Sequence, residues 1–115
     1  MSGNLHMFRV GKDGDWTTLW VSLDHGGDGG IQIQLSSQWG AFAHYFDQPG
    51  KCTLAWLADC DDGYMERKLY ASAVRCGVAD RKAETAAARA IRAWPALVHA
   101  MRTTAATCAA GEVGT

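Results

Sequence analysis

The sequence predicts an α+β fold, an antiparallel sheet of about four strands covered by two short helices and one long C-terminal helix. Three observations carry that prediction. The first 46 residues hold short runs rich in aromatic and β-branched residues, separated by Gly- and Asp-containing turns. The period then changes from two to between three and four. Finally, 115 residues with 48% hydrophobic and 20% charged side chains suit one compact domain.

Leu5 to Val10 is a first strand, and Gly11-Lys12-Asp13-Gly14-Asp15 is the turn that closes a hairpin. Trp16 to Leu23 is its partner, built from residues that suit a pleated surface. The glycine-rich loop Asp24 to Gly30 lacks the Lys-Ser/Thr and the following helix that phosphate binding requires. Ile31, Ile33 and Leu35 alternate on one strand face. Trp39 to Phe46 is the fourth run, with Phe42, His44 and Phe46 on one face, and Asp47-Gln48-Pro49-Gly50 ends it.

Cys52 to Ala58 reads as a short helix with Leu54, Leu57 and Ala58 inward. Tyr64 to Ala73 is a second, with Tyr64, Lys68 and Leu69 near one face, and Gly77 ends it. Asp80 is placed as an N-cap. Residues 81–108 form the longest helix, with a buried stripe of Ala83, Ala87, Ile91, Trp94, Val98, Met101, Ala105 and Cys108. Pro95 removes an N–H and clashes with the preceding turn, so a kink or break is expected there. The domain is drawn at residues 1–110, with 111–115 as a frayed tail.

Charge, 11 basic against 12 acidic residues, is far too balanced for a generic nucleic-acid binder. Its distribution is lopsided. Residues 1–62 carry eight acids and three bases, and residues 63–115 carry eight bases and four acids. One reading is a dipolar molecule with a face for an oppositely charged partner. The other is composition alone, with Asp in strand-and-loop regions and Arg/Lys in helices. Arg81, Lys82, Arg89 and Arg92 share a helix face opposite the apolar stripe, the best candidates for phosphate contacts. The acidic half would repel the same strand, and no base-stacking aromatics interleave the basic positions.

No Cys-x-x-Cys pair occurs among Cys52, Cys60, Cys76 and Cys108, which argues against a zinc knuckle. Asp59, Asp61, Asp62 and Gly63 match an EF-hand loop only in part, and a solvated helix–helix loop with an N-cap acid is the simpler account. No catalytic motif surrounds any histidine or cysteine, so no enzyme, cofactor or metal is expected. No apolar run of 18 residues exists, so no membrane span is expected. Met1-Ser2-Gly3-Asn4 lacks a secretory pattern, which points to a cytoplasmic protein with reduced thiols. Five tryptophans are more than a domain this small usually hides, which points to one or two at a protein contact. Small side chains on the alanine-rich helix would permit a homodimer.

The stretch Ser37 to Leu69 runs Trp39-Gly40-x-Phe42-x-x-Tyr45-Phe46, Leu54-x-x-Leu57, Asp61-Asp62-x-Tyr64 and Lys68-Leu69. It resembles a group of small accessory proteins from tailed phages and prophages. It departs from them at Phe46, where the group has Trp, and at Leu54 or Trp56, where it has Phe. The resemblance implies a phage-encoded anti-defence protein in a bacterial cytoplasm, such as an anti-CRISPR protein that inhibits a host CRISPR–Cas effector by stoichiometric binding. Asp24, Asp28, Asp59, Asp61 and Asp62 would then face a basic groove. The alternative is a small nucleic-acid-binding or regulatory phage protein using Arg81, Lys82, Arg89 and Arg92.

Overall fold

The structure, a computed structural model, describes residues 5–12, 15–25, 30–46 and 54–114. Four strands, β1 (Leu5–Lys12), β2 (Asp15–His25), β3 (Gly30–Ser37) and β4 (Gly40–Phe46), form an antiparallel meander in the order β1-β2-β3-β4. The helices follow as α1 (Leu54–Ala58), α2 (Asp62–Arg75), α3 (Asp80–Ala90) and α4 (Trp94–Gly114). A 3-10 turn, Ile91–Ala93, joins α3 to α4. The α+β class and the strand count agree with the sequence prediction.

Alternation decides which sheet face is covered. Phe8, Leu19, Val21, Ile31, Ile33, Leu35, Phe42 and Phe46 point to one side and are buried with residues from every helix in a single core. Register aligns the other face in rows: Leu5, Ser22, Gln32 and Tyr45, then Met7, Trp20, Gln34 and Ala43, then Arg9, Thr18, Ser36 and Ala41. Tyr45 lies over Gly30, so a Cβ there would fall on its phenol ring. A larger residue at position 30 would have to displace that ring.

The two short helices are positioned by β4. Phe46 meets Trp56 of α1 edge-on, with ring centroids 5.4 Å apart, and stacks on Tyr64 of α2 at 6.3 Å. Phe46 and Tyr64 thus form packing between β4, α1 and α2. Met65, Leu69, Ser72 and Ala73 are the buried face of α2, with Tyr64 partly buried beside them. Lys68 is half-buried, its ammonium 5.0 Å from the Tyr64 ring centroid. Ser72 accepts the Ala43 N–H at 2.9 Å, which satisfies an amide on the outer edge of β4. Gly77, at φ +90°, closes α2 through Gly77 N–H to the Val74 carbonyl and Val78 N–H to the Ala73 carbonyl. That pair of bonds needs a left-handed residue, which glycine adopts without penalty.

The long helix differs from expectation in two places. The N-cap of α3 is Ala79, which makes no side-chain cap bond, and Asp80 is the first residue inside the helix. The Asp80 carboxylate instead accepts from the Tyr70 hydroxyl at 2.6 Å, tying α3 to α2. The interruption is the 3-10 turn, one residue before the helix that contains Pro95. Pro95 then lies in the first turn of α4, where a missing N–H costs nothing. Three residues at 120° rather than 100° advance the helical phase by about 60°. Leu97 is accordingly the buried residue and Val98 only half-buried, the reverse of an unbroken stripe. Trp94 is 1% exposed, and its indole N–H donates to the Cys60 carbonyl at 2.9 Å. Helical backbone continues to Gly114, past the boundary drawn at residue 110. No helix among the described residues is long and apolar enough to cross a membrane.

Candidate functional site

The β3–β4 turn sets up the site. Ser37 Oγ accepts the Trp39 N–H and donates to the Gly40 carbonyl, both at 3.2 Å. Gly40 has φ +142°, a conformation that an L side chain rarely adopts. The turn holds Trp39 outward, 37% exposed. It was expected to begin a strand and belongs instead to the two-residue turn.

Trp39 stands against α3. The Arg89 guanidinium lies over its ring, 4.6 Å from the centroid. On one side of this pair is a depression of about 490 Å³ walled by Arg81, Lys82 and Thr85 and floored by Ala79 and Ala86. On the other is one of about 260 Å³ bounded by Arg92, Ala93, Ala96 and the β-strand residues Val10, Gly11 and Thr17. Trp39 and Arg89 line both, so the two depressions flank the Arg–Trp stack, and together they are called the α3 trough below. From residue 81 to residue 92 the helical rise is about 16 Å.

All four bases named from the sequence are exposed and lie along this trough. The acids of α3 are turned elsewhere. Glu84 borders a separate groove with Glu66, Arg67 and Tyr70 of α2, and Asp80 is held by Tyr70. That hydrogen bond raises the Tyr70 phenol above its usual range. The aromatic at the centre of the basic face was missed because Trp39 precedes Arg81 by more than forty residues. Only the fold brings them together.

The five candidate acids fare differently. Asp59, Asp61 and Asp62 are exposed side by side between α1 and α2. Asp59 accepts from the Arg102 guanidinium at 3.1 Å. Asp61 caps α2, accepting from the Tyr64 N–H at 2.7 Å, and Asp62 occupies the first helical turn. Both positions suit a negative charge near a helix N-terminus. Asp24 is the penultimate residue of β2 with its side chain outside the described residues, and Asp28 lies wholly outside them.

Cys60 is half-buried and donates to the Trp56 carbonyl. Burial first, then Asp59 and Asp61, push its thiol up to about 11, which keeps it protonated and poorly nucleophilic. His44 packs edge-on against Phe46 with centroids 4.6 Å apart. Burial, Lys68 and Arg75 hold it below the usual imidazole range. Among the described residues no group of His, Cys, Asp and Glu side chains is arranged to hold a metal ion.

No family model matches the chain, and neither a curated protein nor a solved structure does.

Proposed function

We propose that this protein is a non-catalytic nucleic-acid-binding protein that holds a single strand along the α3 trough. The observation that carries the reading is the Arg89–Trp39 stack at 4.6 Å, centred among Arg81, Lys82 and Arg92. Bases on both sides of an exposed aromatic supply what single-strand binding uses. Cations track the phosphates, and a ring or guanidinium plane accepts an unpaired base. A duplex keeps its bases stacked and offers no face to Trp39. Balanced net charge implies modest affinity confined to one face.

Fluorescence anisotropy of a labelled oligothymidine, against a duplex of equal length, tests this directly. The single strand should bind more tightly than the duplex. The logarithm of its affinity should fall with log salt at a slope of about −2 to −3, as for three or four phosphate contacts. No binding at about 100 µM protein in 50 mM salt overturns the reading, because non-specific contacts alone reach that range.

The second reading is the stoichiometric CRISPR–Cas inhibitor of a phage. Its support is the resemblance over Ser37 to Leu69 and the exposure of Asp59, Asp61 and Asp62 on one loop. Two of those acids already have partners within the chain, which weakens them as a mimic of nucleic acid. A pull-down from a lysate with an active CRISPR system separates the two. Recovery of a Cas subunit that survives nuclease favours the inhibitor, and recovery that vanishes with nuclease favours the trough.

A further inference from the structure

The helices and the trough leave the second face of the sheet unused. Leu5 and Met7 are each 62% exposed there, and Trp20 is 37% exposed. Met7 and Trp20 are cross-strand neighbours, and Leu5 shares a shallow depression with Trp20, Ser22, Gln32 and Gln34. A sheet face normally hides residues of this kind against a second layer.

We infer that this face docks on the same face of a second copy, giving a two-fold symmetric dimer with the two sheets packed together. Three properties of the face select that occupant. First, the only charged side chain described on it is Arg9, whose guanidinium sits 5.0 Å from the Trp16 ring centroid. Among the described residues it therefore carries little charge to select a charged partner, unlike the α3 trough. Second, its size fits. Strands of eight residues are about 26 Å long and four of them about 19 Å wide, which is about 500 Å² in projection before side-chain relief. Two such faces in contact cover about 1,000 Å² together, the lower bound for a specific interface.

The third property is relief. The β1–β2 half is tall, with Leu5, Met7 and Trp20. The β4 border is low, with Ala41 and Ala43, beside Gln32, Gln34 and Ser36 on β3, and Tyr45 lies across Gly30. A two-fold axis parallel to the strands places the tall half of each copy over the low border of the other. Register then sets Met7 of one copy opposite Ala43 of its mate, because both belong to the same row. Gln32 and Gln34 carry amides that donate and accept, so they suit a self-complementary contact.

Sedimentation velocity on the full chain from about 1 to 100 µM tests this. The wild type should sediment as a dimer at the upper end. Met7→Lys and Ala43→Glu each alter an exposed side chain, and each should weaken the dimer at least tenfold while circular dichroism stays unchanged. The double variant Met7→Lys/Ala43→Glu should restore it, since each lysine then meets a glutamate across the axis. A wild-type monomer throughout, or a dimer that both single variants leave intact, overturns the proposal. If one single variant fails to fold, Leu5→Lys replaces it on the tall half and is read the same way.

Discussion

The acids between α1 and α2 and the bases along α3 are both exposed charge clusters, yet they sit in different surroundings. Asp59 and Asp61 are spent inside the chain, one on Arg102 and one on the first turn of α2. The bases along α3 surround an exposed indole and line open depressions. Charge density alone does not separate a structural cluster from a binding one. What the charges are bonded to does, and so does the shape of the surface between them.

The largest effect that would break this contrast is loss of binding on the acidic side. Changing Arg81, Lys82, Arg89 and Arg92 together to Gln should weaken oligothymidine binding about 100-fold. Stability in a urea titration should move by no more than about 0.5 kcal/mol per substitution. The triple change Asp59→Asn, Asp61→Asn and Asp62→Asn should leave binding within about twofold or strengthen it, since it removes repulsion.

Next comes the ring. Trp39→Ala should cost about tenfold in anisotropy, within the usual worth of a stacked base. A Phe there should recover part of the loss. Asp61→Ala should destabilise the fold by about 1 kcal/mol without changing affinity, as loss of an N-cap does. Thermal unfolding reads this. The Asp59–Arg102 pair is 3.1 Å long but 76% and 61% exposed on its two sides, so a double-mutant cycle should give less than about 1 kcal/mol, falling with salt.

The smallest effect sharpens the same point. Asp59 and Asp61 contribute to raising Cys60 to about 11. Replacing both with Asn should speed Cys60 alkylation by iodoacetamide at pH 8.5, followed by peptide mass mapping. The linkage sign follows from the raised value. Stability from the protonated thiol is full below its unfolded value of about 8.5 and is lost as pH rises through about 11.

Much of the fold was legible because local rules agreed with tertiary packing. The alternation of Ile31, Ile33 and Leu35 named a buried face, and all three are buried. Leu54, Leu57 and Ala58 were read as the inner side of α1, and they are. Gly77 was read as a stop and supplies the left-handed residue. Failures came where a local choice had a rival partner. Asp80 gave its carboxylate to Tyr70 rather than to the helix end. The break near Pro95 was foreseen, but its 3-10 geometry rotated the stripe from Val98 to Leu97. The bases of the site were legible as one helix face. Its aromatic was not, because spacing within α3 carries no information about the β3–β4 turn.

The Ser72 hydroxyl that takes the Ala43 N–H has a consequence for assembly. Strand-by-strand growth into a fibre needs two extendable borders on every subunit, one to receive and one to be received. With α2 laid against β4, that amide is already taken. A strand from another copy added along this border would have to give up the bond at position 43 or displace Ser72. A hydroxyl on a helix thus raises the cost of joining identical sheets along the β4 edge.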